Sequence, residues 1–160
     1  MGKYILTLIQ EAAKFEMEIY NLYTLYSKLF INDSKFWNKI ADEERNHAVI
    51  MQKSYSYLES DNKIFNQIIP NNILSIIDNK EKVDKLIIDF NKSHDRVFAF
   101  NLALLIETSL LESTYQKFMA SNYESKDNIL FQKLNGDEKD HIKRITQYMK
   151  VNNIPIISLG

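Results

Sequence analysis

Two glutamates stand three residues before a histidine: Glu44 before His47 in ADEERNH, and Glu138 before His141 in NGDEKDH. The chain holds only three histidines and eleven glutamates, so both pairings would arise by chance in about one sequence in a hundred. Residues i and i+3 share a helical face, so on a helix each pair directs a carboxylate and an imidazole to one point. Carboxylate oxygens and imidazole nitrogens are the donors that hold divalent first-row metals. Two more glutamates stand where apolar residues are expected. Glu16 fills one step of the stripe Ile5, Ile9, Ala12, Ile19, Tyr23, Tyr26 and Phe30, and Glu107 follows Phe100 and Ala103 on another.

Those stripes define the elements that must position the acids. Glycine occurs three times and proline twice in 160 residues, which leaves long uninterrupted segments suited to helices. Steps of four and three along the first segment mark an amphipathic helix. Asn32, Asp33 and Ser34 offer a turn and an N-cap. A second stripe runs Trp37, Ile40, Glu44, His47, Met51, Ser54 and Leu58, so that Glu-x-x-His pair faces inward. Residues 61–92 break the pattern around Pro70, with ILSIID and KVDKLIIDF as short helical candidates. A link of about 30 residues can run the length of a helix of about 40 Å and join two parallel helices. A third helix is expected over roughly 93–121, with Phe100, Ala103, Glu107, Leu111, Thr114 and Phe118 inward, and a fourth over roughly 126–150, with Leu130, Leu134, Glu138, His141, Ile145 and Tyr148 inward. The expected fold is all-α: a four-helix bundle over 1–150 with a long crossover between helices two and three, and a C-terminal tail over 151–160.

The two halves repeat one chemistry, a helix with a single inward glutamate followed by a helix with Glu-x-x-His. Four buried carboxylates around one point repel and are costly by several kcal/mol each unless compensated. Two divalent cations balance the four negative charges, with neutral imidazoles completing the donor set. One glutamate from each of two helices plus Glu-x-x-His from each of the other two is the pattern of di-metal carboxylate bundles.

With these six positions the chain resembles the ferritin-like di-iron proteins, nearest the rubrerythrin group, over its four expected helices but not over 61–92 or the tail. The resemblance implies terminal ligands at Glu16 and Glu107, bridging carboxylates at Glu44 and Glu138, terminal histidines at His47 and His141, and a tyrosine beside the site at Tyr23. It also implies a di-iron centre, with manganese or zinc as alternatives. The implied activity is reduction of O2 or H2O2 by ferrous iron, of peroxidase or ferroxidase type, with an external electron donor. It implies a homodimer as well, in which the long 61–92 link would allow helix pairs to be exchanged. The sequence departs from the rubrerythrin group at Leu110, where that group carries a further glutamate, which favours a plain six-ligand site. It also contains no cysteine, which excludes a rubredoxin-type iron site or an iron–sulfur cluster within it.

Several positions compete. Glu112 is an alternative to Glu107 as the third-helix ligand, whereas Glu11 and Glu18 fall off the stripe and are expected to face water, as is His94. Tyr23 is the tyrosine best placed to touch a ligand, because a buried hydroxyl requires a partner and a ligating carboxylate is one. The tail VNNIPIISLG is expected to cap the bundle, with a docking peptide as the weaker alternative. A formal net charge of −1 without a basic run argues against nucleic acid. No apolar run approaches the roughly 18 residues of a membrane span, and the N-terminus lacks the features of a signal peptide, so a cytoplasmic protein is expected. The rival reading is a non-catalytic bundle holding a static metal or storing iron.

Overall fold

The computed structural model describes residues 2–60, 73–108 and 140–159, with side chains described over 10–53, 80–108 and 140–159. Every regular element among the described residues is helical, and none of these helices is long and apolar enough to cross a membrane. The chain divides into two compact units, Met1–Ile69 and Pro70–Gly160.

The first unit is a helical hairpin. Helix α1 spans Gly2–Leu29 and α2 spans Ser34–Ser60, and the two pack along one another. Phe30 leaves the helix (φ −109°, ψ 78°), and a single 3-10 turn, Ile31–Asp33, returns the chain without glycine or proline. Of the expected α1 stripe, Ala12, Glu16, Ile19, Tyr23 and Tyr26 are buried and Phe30 is half-buried. Ile5 and Ile9 lie outside the described side chains. In α2 the stripe Trp37, Ile40, Glu44, His47 and Met51 is buried throughout, while Ser54 and Leu58 again lie outside. Phe15, Leu22, Ala41 and Ala48 are buried too, which widens each stripe into a broad apolar face. Glu11 and Glu18 are exposed, and Glu11 pairs with Lys14 at 2.6 Å on the solvated side.

The second unit begins with a difference from the sequence expectation. The stretch read as a link with two short helical candidates contains one continuous helix, α3, Ile73–Ser93. The polar run DNKEK that separated the candidates has no helix breaker, and Lys80 pairs with Asp84 one turn on, at 3.2 Å. Val83, Leu86 and Phe90 form the buried stripe. Helix α3 ends at His94, whose φ of 47° lets its N–H reach the Phe90 carbonyl at 2.8 Å. Asp95 then caps the next helix, its Oδ1 accepting from Phe98 N at 2.6 Å, so α4 starts at Arg96 rather than near 93. Helix α4, Arg96–Glu107, is buried on most sides, and the positions expected beyond it, from Leu110 to Phe118, lie outside the described residues.

Helix α5 covers 140–151. Its Tyr148 stacks on Phe100 of α4, with ring centroids 5.5 Å apart and planes within 8° of parallel. Asn153, at φ 54°, ends α5 with the paired closure in which Ile154 N–H reaches Met149 O at 2.9 Å and Asn153 N–H reaches Lys150 O at 3.4 Å. Met149 and Ile154, brought together by that closure, are both buried. The remaining tail extends over α4, where Asn101 binds its backbone.

Candidate metal centre

In the first unit the sequence-predicted donors meet. Glu16 on α1 and Glu44 and His47 on α2 are 1%, 3% and 2% exposed, so water contributes little to their solvation. His47 Nδ1 lies 3.1 Å from Glu44 Oε2, as expected one turn apart, and 3.9 Å from Glu16 Oε2 across the hairpin. One donor atom from each of the three residues falls within 4.8 Å of the other two. Around a single ion with bonds of about 2.0–2.2 Å, neighbouring donors sit roughly 2.8–3.6 Å apart. The Glu44–His47 separation is already in that range, and the Glu16–His47 separation is a few tenths of an ångström outside it, within the reach of a side-chain rotation. Two carboxylates and a neutral imidazole carry a charge of −2, matched to one divalent cation. This group could hold a metal ion.

The second unit assembles the corresponding residues. Glu107, the last residue of α4, and His141, on α5, are 5% and 0% exposed, and His141 Nδ1 lies 3.3 Å from Glu107 Oε2. The expected fourth donor, Glu138, lies outside the described residues, and so does Glu112, the competitor of Glu107. What the structure adds is that Glu107 is buried against a histidine of the other expected Glu-x-x-His pair, the environment a ligand requires.

Tyr23 is buried, with its ring against Trp37 (centroids 5.3 Å apart) and Tyr26 (5.9 Å). It lies seven residues from Glu16, and Trp37 lies seven from Glu44. On a helix that is one face and about 10 Å along the axis, so the aromatic cluster sits on the turn side of the ligand set. Tyr26 meets Trp37 edge-on at 4.9 Å, and burial pushes its hydroxyl pKa far up from the usual value. These rings pack against one another between the turn and the donors. His94 is exposed and serves as a helix terminator.

Sequence reasoning passed over Asn101. It is the one polar residue in the apolar run FAFNLALLI, and it is 4% exposed. A lone polar side chain on an otherwise apolar helix is the signal that was available, although its partner sits 54 residues away and leaves no trace in the periodicity.

No protein family, no curated protein and no solved structure matches this chain.

Proposed function

We propose that this protein is a di-iron oxidoreductase with a ferritin-like four-helix architecture, in which α1, α2, α4 and α5 supply the ligands and the segment containing α3 makes the long crossover. The observation that carries this reading is the burial of Glu16, Glu44 and His47 as one donor group, with Glu107 and His141 buried as a second pair. Buried carboxylates in contact are unfavourable unless a cation accompanies them. The sequence supplies the same donor types in both halves, which supports one ion for each half, with Glu138 completing the second set.

When bound, a pair of ferrous ions supplies two electrons to O2 or H2O2, which avoids release of one-electron products. The side chains set the conditions for that chemistry. Glu16, Glu44, Glu107 and Glu138 provide hard oxygen donors that favour the ferric product. His47 and His141 would each hold an ion through a ring nitrogen. Trp37, Tyr23 and Tyr26 exclude water on the turn side of the first donor group. An external donor returns the electrons.

The test is anaerobic loading with ferrous iron followed by exposure to air or H2O2. Rapid growth of ferric charge-transfer absorption, with consumption of oxidant in proportion to iron, is expected. A protein that binds metal tightly but shows neither change is a static metal protein, and the oxidoreductase reading fails.

A further inference from the structure

Asn101 lies on α4 with its carboxamide fully engaged. Its Nδ2 donates to Val97 O at 2.8 Å and to Pro155 O at 2.9 Å, and its Oδ1 accepts from Ile157 N at 2.8 Å. The side chain therefore grips the C-terminal segment by two main-chain groups, two residues apart, as a neighbouring strand would. Burying an amide inside an apolar helix is costly unless every hydrogen bond is made. If the position required only packing, an apolar side chain would serve.

What the clasp holds can be read from the order of contacts along α4 and α5. The closure at Asn153 turns the chain back so that Ile154 N–H reaches Met149 O, and the tail then reaches Asn101. Phe100, next to Asn101, stacks on Tyr148. Seven residues from Phe100 is Glu107, and seven residues from Tyr148 is His141. Both steps are about 10 Å along one helical face, so the tail clasp, the ring stack and the Glu107–His141 contact are successive ties between the same two helices. A metal site requires its donors held to about 0.5 Å, and a slide of α5 along α4 moves His141 by the full amount of the slide. Two flat rings stacked face to face resist sliding poorly. Hydrogen bonds to fixed backbone groups resist it well, because they are lost within a fraction of an ångström. Asn101 itself is six residues from Glu107, about 9 Å away along the axis and roughly 120° around it. It acts on the site through α5 and does not face it.

We propose that Asn101 is a positioning residue for His141: by clasping the C-terminal segment it fixes the register of α5 on α4, and so the fit of the second donor pair to its ion. The metal-dependent part of this inference rests on the proposed function; the effect on His141 does not.

The experiment uses two variants of the full chain. Asn101→Ala removes the clasp, and Ile157→Pro, at an exposed site, removes the N–H from which Asn101 Oδ1 accepts and fixes the backbone there. In metal-free protein labelled at its three histidines, both variants are expected to shift the ring signals of His141 and leave those of His47 in place. Unmoved His141 signals, or equal shifts at both histidines, overturn the proposal. Cobalt(II) titration supplies the second readout. In a His47→Ala background, which weakens the first donor set, each variant is expected to weaken cobalt binding about tenfold or more. In a His141→Ala background neither should change it. Equal losses in both backgrounds indicate general loosening and also overturn the proposal. If the unmodified chain takes up no cobalt, the metal reading fails by itself, and the ring signals still decide the clasp.

Discussion

Replacing Glu16 with glutamine should make the metal-free protein more stable and the metal-loaded protein less so. Glu16 and Glu44 are almost fully buried, with donor oxygens inside a 4.8 Å group. Two unit charges at that separation repel by about 3–4 kcal/mol at an effective dielectric of ~20. The hydrogen bond between His47 and Glu44, at 3.1 Å, offsets part of that, so the net relief from removing one charge is about 1–3 kcal/mol. Glutamine keeps the shape of the side chain and opens no cavity. For a chain of this length the gain corresponds to a rise of roughly 3–10 °C in the midpoint of metal-free unfolding. Metal reverses the order. A divalent ion at about a thousand times its dissociation constant stabilises the native state by about 4 kcal/mol, and Glu16→Gln should lose most of that increment by losing a ligand. Differential scanning calorimetry of both proteins, in chelator and then in excess manganese(II) or anaerobic iron(II), measures the four midpoints. A metal-free variant less stable than the parent, with an unchanged metal-induced shift, would show that Glu16 is a structural acid paired within the protein, and the charge argument would be wrong.

Three further expectations follow from the same structure. Glu107→Gln should abolish rapid ferrous oxidation while Glu112→Gln leaves it nearly intact; stopped-flow absorbance on both decides, and a dead Glu112→Gln would replace Glu107 by Glu112 in the second donor set. His47→Ala and His141→Ala should each lower metal affinity about tenfold or more with the helices still formed, and titration followed by circular dichroism separates the two effects. Tyr26 is pushed far above its ordinary pKa of 10.0 by burial, so the unfolded chain loses that proton above about pH 10 while the folded chain keeps it. The stability it contributes is therefore complete below pH 10 and declines above it by about 1.4 kcal/mol per pH unit. Urea unfolding of the parent and Tyr26→Phe at pH 8 and pH 11 should show the gap between them change in favour of phenylalanine, and a pH-independent gap would contradict this.

Much of the site is legible in the sequence because a helix converts spacing into direction. Glu16, Glu44 and His47 occupy steps of four and three among apolar residues, and the structure buries all three together. Glu107, which shares the stripe of Phe100 and Ala103, is buried against His141, while its competitor Glu112 lies outside the described residues. The elements that escaped lack such a pattern. Helix α3 runs through DNKEK because a helix needs an apolar stripe on one side only, and polar residues with an i, i+4 ion pair continue it as well as leucines do. The start of α4 is set by one side-chain cap at Asp95 and one left-handed residue at His94, local events to which a periodicity is blind. The clasp by Asn101 joins residues more than fifty positions apart, and a single polar residue announces a buried amide without naming its partner.

The proposed chemistry requires that the two buried donor sets each hold one ion. Metal content of the purified full chain after anaerobic reconstitution with excess iron(II) and removal of loosely bound metal, read by elemental analysis against protein concentration and by native mass spectrometry, tests it most directly. Two ions per chain are expected in the parent, with loss of tight binding at one donor set in His47→Ala and at the other in His141→Ala. A parent chain that holds one ion or none at saturation contradicts the claim.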